Sequence, residues 1–221
     1  MRGSYSGNTS AFQADAESSI LLPRSKDIMQ PVVDQTELVR KFNFRSVITE
    51  QDDIAACGII TDIIANGNYF TNSPKFQTKE NIFSRKEPVW LKYRMSFMFS
   101  VFMYLGHEVK VSEMMAWSFM TNLQGAENRD NLWHHHWHPK NPNNKMLSGV
   151  YYLHIPDDVK DRDYCGTEIA PNGAEQDGRY FVTPTPGHWI IYPSNTWHRP
   201  GIVQSEQYRF VLAADIECSY S

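Results

Sequence analysis

The chain has 221 residues, of which 41% are hydrophobic and 13% aromatic, so it can bury a sizeable core. This composition excludes a globally disordered chain. The formal net charge of −4 argues against a protein that follows nucleic-acid phosphates, because such proteins normally present a basic face. We therefore expect a globular protein without a nucleic-acid partner.

The cysteines and the apolar segments indicate the compartment. The chain contains three widely spaced cysteines and no C-x-x-C motif: Cys57, Cys165 and Cys218. They form neither a disulfide framework nor a cysteine zinc site, which favours a reducing compartment. The N-terminus lacks the apolar segment of a secretory signal, and Lys92 and Arg94 interrupt the densest apolar run. We expect a cytoplasmic protein without a membrane partner.

The N-terminal half is predicted to be an arm followed by helices. Residues 1–30 are rich in Ser, Asn, Gly and Ala without periodicity, which predicts a flexible arm that would permit a homodimer. Residues 31–221 are then a single domain, in which residues 31–108 supply mainly helical support. Thr49–Ala65 is predicted to be a helix capped by Thr49. The apolar stretch Val89–Leu105 favours a second, buried helix.

From residue 109 the pattern changes to short runs rich in β-branched and aromatic residues, separated by Pro, Gly, Asn and Asp. These predicted strands are Val109–Val111, Ala116–Phe119, Leu147–Leu153, Tyr180–Val182, His188–Tyr192 and Tyr208–Ala213. Short strands without room for helical crossovers are typical of an antiparallel sandwich or barrel. The sequence therefore predicts a mainly β fold with N-terminal helices and a β core over residues 109–217.

Histidines concentrate in this β half, since all eight lie at or after His107. In a strand, residues i and i+2 point to the same face, so His136 and His138 can project together and bind a transition metal. His198, 60 residues beyond His138, is the best candidate for a third ligand. His134 and His135 are interpreted as loop residues or neighbours of the ligands. A structural zinc site and a histidine patch without metal remain alternatives.

Three motifs occur in the order that is found in one enzyme superfamily. They are H-x-H-P at His136–Pro139, L-S-G-V-Y-Y at Leu147–Tyr152 and Y-P-S-x-x-x-H at Tyr192–His198. Residues 115–217 thereby resemble the Fe(II)/2-oxoglutarate-dependent oxygenases of the prolyl-hydroxylase-like branch. The resemblance is strongest to a bacterial and phage subgroup, which has Phe where this chain has Tyr192. It implies a double-stranded β-helix, or jelly roll.

The resemblance also implies roles for particular residues. His136 and His198 correspond to iron ligands, and Arg209 corresponds to the residue that binds the C5 carboxylate of 2-oxoglutarate. The planar guanidinium of arginine suits this role because it can hold a carboxylate through two parallel hydrogen bonds. Tyr152 corresponds to a tyrosine that hydrogen-bonds the same carboxylate.

The chain departs from the family pattern at His138, where most members have Asp or Glu. We favour His138 as the third iron ligand, which leaves the site one negative charge poorer than the usual two-histidine, one-carboxylate set. Alternatively, a carboxylate such as Asp163 or Glu168 completes the site, or the position is vacant and the protein oxidises nothing.

The function that the resemblance implies is that of a dioxygenase using Fe(II), 2-oxoglutarate and O2. It would oxidise, by default hydroxylate, a C–H bond of a small-molecule, amino-acid or peptide substrate, releasing succinate and CO2. One alternative is a cupin-like three-histidine metal oxygenase that does not use 2-oxoglutarate. Such an enzyme usually has a Glu shortly after H-x-H, and residues 139–147 contain none. The other alternative is a non-catalytic jelly-roll binding module.

Overall fold

The computed structural model describes residues 32–36, 38–70, 76–123, 133–136, 139, 141, 143–174 and 177–220. The α-helices of this part are α1 Glu50–Ala65 and α2 Pro88–Leu105, and short 3-10 helices lie at Ile82–Ser84 and Asp163–Cys165. The strands are β1 Val32–Thr36, β2 Val39–Asn43, β3 Tyr69–Phe70, β4 Phe76–Thr78, β5 Val109–Thr121, β6 Lys145–His154, β7 Thr167–Ala170, β8 Tyr180–Val182, β9 His188–Pro193, β10 Trp197–Pro200 and β11 Arg209–Tyr220. The predicted arm over residues 1–30 lies outside the described residues.

The strands form two antiparallel sheets. The main sheet has the order β1-β2-β9-β6-β11-β5-β4-β3, and the smaller sheet has the order β10-β7-β8. From β6 onward the chain alternates between the two sheets. Strands β7 and β8 belong to the smaller sheet, β9 to the main sheet, β10 to the smaller sheet and β11 to the main sheet. This winding is a double-stranded β-helix, so the predicted mainly β jelly roll is confirmed.

The space between the sheets is filled by side chains from both of them. Val150 and Tyr152 on β6, Ile169 on β7, Ile190 on β9 and Val211 on β11 belong to one buried cluster. Ser148, Val150 and Tyr152 line the interior pocket, as strand alternation predicts. The alternation ends before His154, which is exposed, because the pairing of β6 with β11 shifts register there.

Helix α1 begins at the predicted cap. The Thr49 hydroxyl accepts a hydrogen bond from the Asp52 backbone, and the Asp52 carboxylate accepts one from the Thr49 backbone at 2.8 Å. This reciprocal arrangement is a capping box, which satisfies backbone donors that have no partner inside the helix. The helix predicted over Thr49–Ala65 is therefore confirmed.

Helix α2 packs on the outer face of the main sheet. The Phe97 ring lies 4.9 Å from Trp189 of β9, and the Tyr93 ring lies 5.1 Å from Tyr151 of β6. A Cβ atom at Gly149 would lie only 2.5 Å from the Phe97 ring, so glycine is required for this close approach. The predicted buried helix is confirmed, and none of the helices in the described residues has both the length and the apolar character needed to cross a membrane.

The segment 31–108 is less helical than predicted, because it also supplies β1 to β4. Strand β2 pairs with β9 and β4 pairs with β5, so these strands extend the main sheet on both sides. They are two to five residues long, and such short runs carry little sequence signal. The runs predicted at Val109–Val111 and Ala116–Phe119 form one strand, β5, because β11 pairs with it along its length.

Candidate metal centre and active site

Three histidines meet in the pocket between the two sheets. His134, His136 and His198 each offer a ring nitrogen, and these atoms all lie within 4.8 Å of one another. The ring centroids are 4.3 Å apart for His134 and His198 and 5.0 Å apart for the other two pairs. His198 is 5% exposed, whereas His134 and His136 are half-buried. This spacing allows one metal ion to be bound by all three rings.

Backbone pairing brings the histidines together. The His134 amide donates to the His198 carbonyl at 3.1 Å, and the His198 amide donates to the His134 carbonyl at 3.0 Å. The His136 amide donates to the Ser194 carbonyl at 2.7 Å. Residues 134–136 therefore run alongside β10 in extended form, and i, i+2 alternation turns His134 and His136 to one side.

Hydrogen bonds select the nitrogen that is available to a metal. The Nδ1 of His198 lies 2.9 Å from the Thr196 carbonyl, which can only accept, so this nitrogen carries the hydrogen. The Nδ1 of His136 lies 2.9 Å from a carboxylate oxygen of Asp215. In a neutral imidazole this leaves the Nε2 lone pair as the ligand atom, as in many metal sites. The donor set thus fits a borderline transition metal such as Fe(II).

The structure brings together two of the three predicted ligands, His136 and His198. His138 lies outside the described residues, so its role as a ligand stays a prediction. His134, which the sequence analysis interpreted as a loop residue or a neighbour, lies within the cluster. Its signal was present in the sequence, because His134 and His136 form an H-x-H pair that overlaps the pair of His136 and His138.

The alternative carboxylates bind elsewhere. Glu168 accepts a hydrogen bond from Arg199 at 2.8 Å, and both side chains are 9% exposed. The Asp163 carboxylate accepts from the Thr183 hydroxyl at 2.6 Å. Neither residue belongs to the ligand cluster found among the described residues.

A carboxylate that the sequence analysis missed lies beside the cluster. Asp215 on β11 is 6% exposed, and it accepts a hydrogen bond from Ser148 at 2.6 Å. Its contact with His136 joins residues 79 positions apart in the chain. No local motif marks Asp215, so only the pairing of β11 with β6 reveals it.

Arg209 closes the buried end of the pocket. It is 1% exposed, lines the pocket and donates a hydrogen bond from Nη1 to the Cys165 carbonyl. The Tyr152 hydroxyl lies 2.8 Å from the Thr167 hydroxyl, and both residues line the same pocket. Burial raises the pKa of Tyr152 to about 12, although the nearby Arg209 acts in the opposite direction. A cation beside two neutral hydroxyl groups is a donor set suited to a carboxylate. Thr167 was not identified from the sequence.

Aromatic rings surround the histidines. The Trp117 ring lies 5.5 Å from His136, and the Tyr192 ring lies 5.0 Å from His198. Tyr192 is 1% exposed, and its pKa is raised well above the usual value, first by burial and then by the Asp215 carboxylate. Both rings limit access of water to the cluster, which strengthens electrostatic interactions within it.

Comparison with known proteins agrees with this site. The model of a family described as "Putative 2OG-Fe(II) oxygenase" matches residues 117–215, which include all three clustered histidines and Arg209. No curated protein matches the sequence of this chain.

Solved structures share the fold at low sequence identity. A prolyl-4-hydroxylase from Pseudomonas putida is 11% identical with a TM-score of 0.54, over 83% of this chain and 93% of that one. A prolyl hydroxylase from Trichoplax adhaerens was solved with a peptide fragment of the hypoxia inducible factor oxygen degradation domain. It is 12% identical with a TM-score of 0.54, over 82% of this chain and 84% of that one. SnoN, a non-heme alpha ketoglutarate dependent epimerase from nogalamycin biosynthesis, is 9% identical with a TM-score of 0.54, over 80% and 76%.

The fold is a jelly roll, and three of its histidines are placed so that they could hold a metal ion. Residues 117–215, a little under half of the chain, resemble the Fe(II)/2-oxoglutarate-dependent oxygenase superfamily, and the fold is shared with solved prolyl hydroxylases. Fe(II), 2-oxoglutarate and O2 are the cofactor and cosubstrates of that superfamily.

Proposed function

We propose that this protein is a dioxygenase that hydroxylates a C–H bond of a small-molecule, amino-acid or peptide substrate. His134, His136 and His198 hold Fe(II), and Arg209, Tyr152 and Thr167 bind the C5 carboxylate of 2-oxoglutarate. One observation carries the proposal: a single pocket contains the histidine cluster and the buried guanidinium of Arg209. A metal alone would not require that cation, whereas a dicarboxylate cosubstrate does.

The protein groups divide the work of binding and orientation. Iron, when bound with 2-oxoglutarate and O2, supplies the oxidation of the C–H bond, with succinate and CO2 as co-products. Three protein donors leave coordination positions for the cosubstrates, as in other non-haem iron oxygenases. Arg209 neutralises the far carboxylate in a water-poor environment, where a charge-assisted hydrogen bond is strong.

The exposure of the side chains indicates where the substrate enters. The Arg209 end of the pocket is closed, since Arg209 is 1% exposed, whereas the side chain of His136 is 18% exposed. The substrate would therefore approach the metal from the side of His134 and His136. Structural neighbours include an enzyme solved with a peptide and an enzyme of nogalamycin biosynthesis, which supports both peptide and small-molecule substrates. Desaturation or ring closure would use the same site.

An anaerobic titration of the metal-free protein with Fe(II) and then 2-oxoglutarate tests the proposal. We expect a visible metal-to-ligand charge-transfer band in the wild type and its loss in Arg209→Ala. Arg40→Ala is a matched control, because Arg40 binds the Tyr104 carbonyl at 3.0 Å and does not line the pocket. It should keep the band.

Two results of this titration would contradict the proposal, and each has a different meaning. Iron binding without a band, in the presence of saturating 2-oxoglutarate, would favour the three-histidine oxygenase that does not use this cosubstrate. The absence of a carboxylate among the three clustered histidines is the observation that makes this alternative worth testing. If no iron bound at all, the cluster would be structural and the proposal would be wrong.

A further inference from the structure

Asp215 is a buried carboxylate that contacts a proposed iron ligand. It lies six positions after Arg209 on β11, opposite Ser148 of β6. Its Oδ2 lies 2.9 Å and its Oδ1 3.0 Å from the Nδ1 of His136. The side chain of Asp215 is only 7% exposed, so water does little to screen this contact.

The hydrogen-bond inventory fixes the direction of each bond around Asp215. An ionised carboxylate only accepts, so His136 Nδ1 must carry a hydrogen. The Ser148 hydroxyl has one hydrogen, which it donates to Asp215 at 2.6 Å. Ser194, whose hydroxyl lies 2.9 Å from that of Ser148, then donates to Ser148. The network thus ends on the carboxylate, and the His136 ring is held with Nε2 free to bind a metal.

The charge of the site gives Asp215 a second role. The three clustered histidines are neutral ligands, and a set of this kind lacks the negative charge of the usual two-histidine, one-carboxylate site. Asp215 places a negative charge one hydrogen bond away from the ring of His136, on the side opposite the nitrogen that is available to a metal. A carboxylate that accepts from a ligating histidine raises the basicity of that ligand.

We propose that Asp215 is a positioning residue that orients His136 and supplies, through its ring, the negative charge that the three-histidine set lacks. This inference rests on the proposed function, because it takes His136 as a metal ligand. Asp215 does not belong to the group whose ligand atoms all lie within 4.8 Å of one another, so it acts through His136 rather than as a further ligand.

Substitution of Asp215 by Asn tests this inference on the purified full-length chain. Asn keeps the shape but removes the charge, and loss of such a partner typically weakens metal binding by about 10- to 100-fold. Glu217→Gln is the matched control, because Glu217 is 5% exposed on the same strand and accepts from Asn144 at 2.6 Å. We expect Asp215→Asn to weaken Fe(II) and Co(II) binding within that range and Glu217→Gln to leave both affinities within twofold of wild type.

A spectroscopic readout separates positioning from a general loss of structure. In the Co(II) protein, the exchangeable Nδ1 proton of a ligating His136 should give a paramagnetically shifted NMR signal protected by Asp215. We expect Asp215→Asn to shift this signal, or to remove it because the Nδ1 proton exchanges with solvent. The visible Co(II) bands should also shift. Both features should be unchanged in Glu217→Gln.

Three results would overturn the inference. One is a Asp215→Asn variant with wild-type affinity and wild-type Co(II) spectra. Another is complete loss of metal, equal to that of His198→Ala, in a variant whose circular dichroism is native, because this would assign Asp215 as a direct ligand. If Asp215→Asn does not fold, Ser148→Ala removes one donor from the carboxylate instead. Co(II) bands that are unchanged in Ser148→Ala would then be the third result that overturns the inference. Failure of the wild type to bind either metal would instead contradict the proposed function.

Discussion

His134 and His198 exchange two backbone hydrogen bonds, of 3.1 and 3.0 Å, and their rings are 4.3 Å apart. This bridge joins the segment that precedes β6 to strand β10, so the position of His134 is set by backbone geometry as well as by its side chain. It also places His134 and His136 on the side of His198, whereas His138, the last member of the two overlapping H-x-H pairs, lies outside the described residues.

Alanine substitution at each candidate ligand tests this assignment. We expect His134→Ala, His136→Ala and His198→Ala each to abolish stoichiometric Fe(II) binding, measured by anaerobic equilibrium dialysis. His138→Ala is the informative comparison, since its role as third ligand is a prediction from the sequence. If His138→Ala lost iron and His134→Ala kept it, the sequence prediction would be correct and our proposed ligand set would be wrong.

The Tyr152 and Thr167 hydroxyls allow a finer test of the cosubstrate site. A hydrogen bond to a charged group contributes about 1.5–3 kcal/mol, which is roughly 10- to 100-fold in Kd. We therefore expect Tyr152→Phe and Thr167→Val to weaken 2-oxoglutarate binding by at least tenfold, with Fe(II) binding unchanged. Titration of the charge-transfer band measures both.

The control for this test is Tyr104→Phe, because the Tyr104 hydroxyl donates to the Leu38 carbonyl at 2.9 Å and does not line the pocket. Its 2-oxoglutarate affinity should equal that of the wild type. Equal affinities in all three variants would mean that the C5 carboxylate binds elsewhere.

The start of α1 and two residues of the candidate site, His198 and Arg209, could be identified from the sequence because their signals are local. Thr49 and Asp52 are three residues apart, and their side chains alone specify the start of α1. His198 and Arg209 were identified because motifs of fixed spacing mark them, which is a property of the sequence.

The remaining features depend on pairing between distant segments. The full length of β5 follows from its register with β11, from Arg209 opposite Thr121 to Tyr220 opposite Val109. Asp215 contacts His136 only because β11 lies beside β6. Two overlapping H-x-H pairs are equivalent in sequence, and the proximity of His134 to His198 follows only from the backbone bridge between them in the fold.

The capping box of α1 predicts a dependence of stability on pH. Burial alone would raise the pKa of Asp52, but hydrogen bonds from Lys92 and Thr49 outweigh it and the pKa is lowered from 3.8. The stabilisation is therefore complete above the unfolded-state pKa and is lost as the pH falls through the folded-state value. We expect Asp52→Ala to lower the free energy of unfolding by about 1 kcal/mol at pH 7.

The difference in unfolding free energy between the wild type and Asp52→Ala should shrink as the pH falls below 4, because Asp52 becomes protonated in the wild type. Urea unfolding at pH 7 and at pH 3 measures it. Glu50→Ala is the control, since Glu50 is an exposed acidic residue in the same turn and its loss should cost only a few tenths of a kcal/mol. A penalty for Asp52→Ala that is equal at both pH values would contradict the role of the carboxylate charge.

Gly149, in the L-S-G-V-Y-Y motif, gives a prediction about packing behind the site. Its absent side chain makes room for Phe97 of α2, and a Cβ atom there would lie 2.5 Å from one Phe97 ring carbon and 2.9 Å from Ile191. Gly149→Ala should therefore overpack the contact between α2 and β6 and destabilise the protein by about 1–3 kcal/mol, measured by thermal unfolding. Gly58→Ala is a matched control on α1, where nothing lies within 4 Å of an added Cβ and alanine favours the helix. That variant should be as stable as the wild type or more so, and a Gly149→Ala protein of equal stability would show that α2 moves freely away from the sheet.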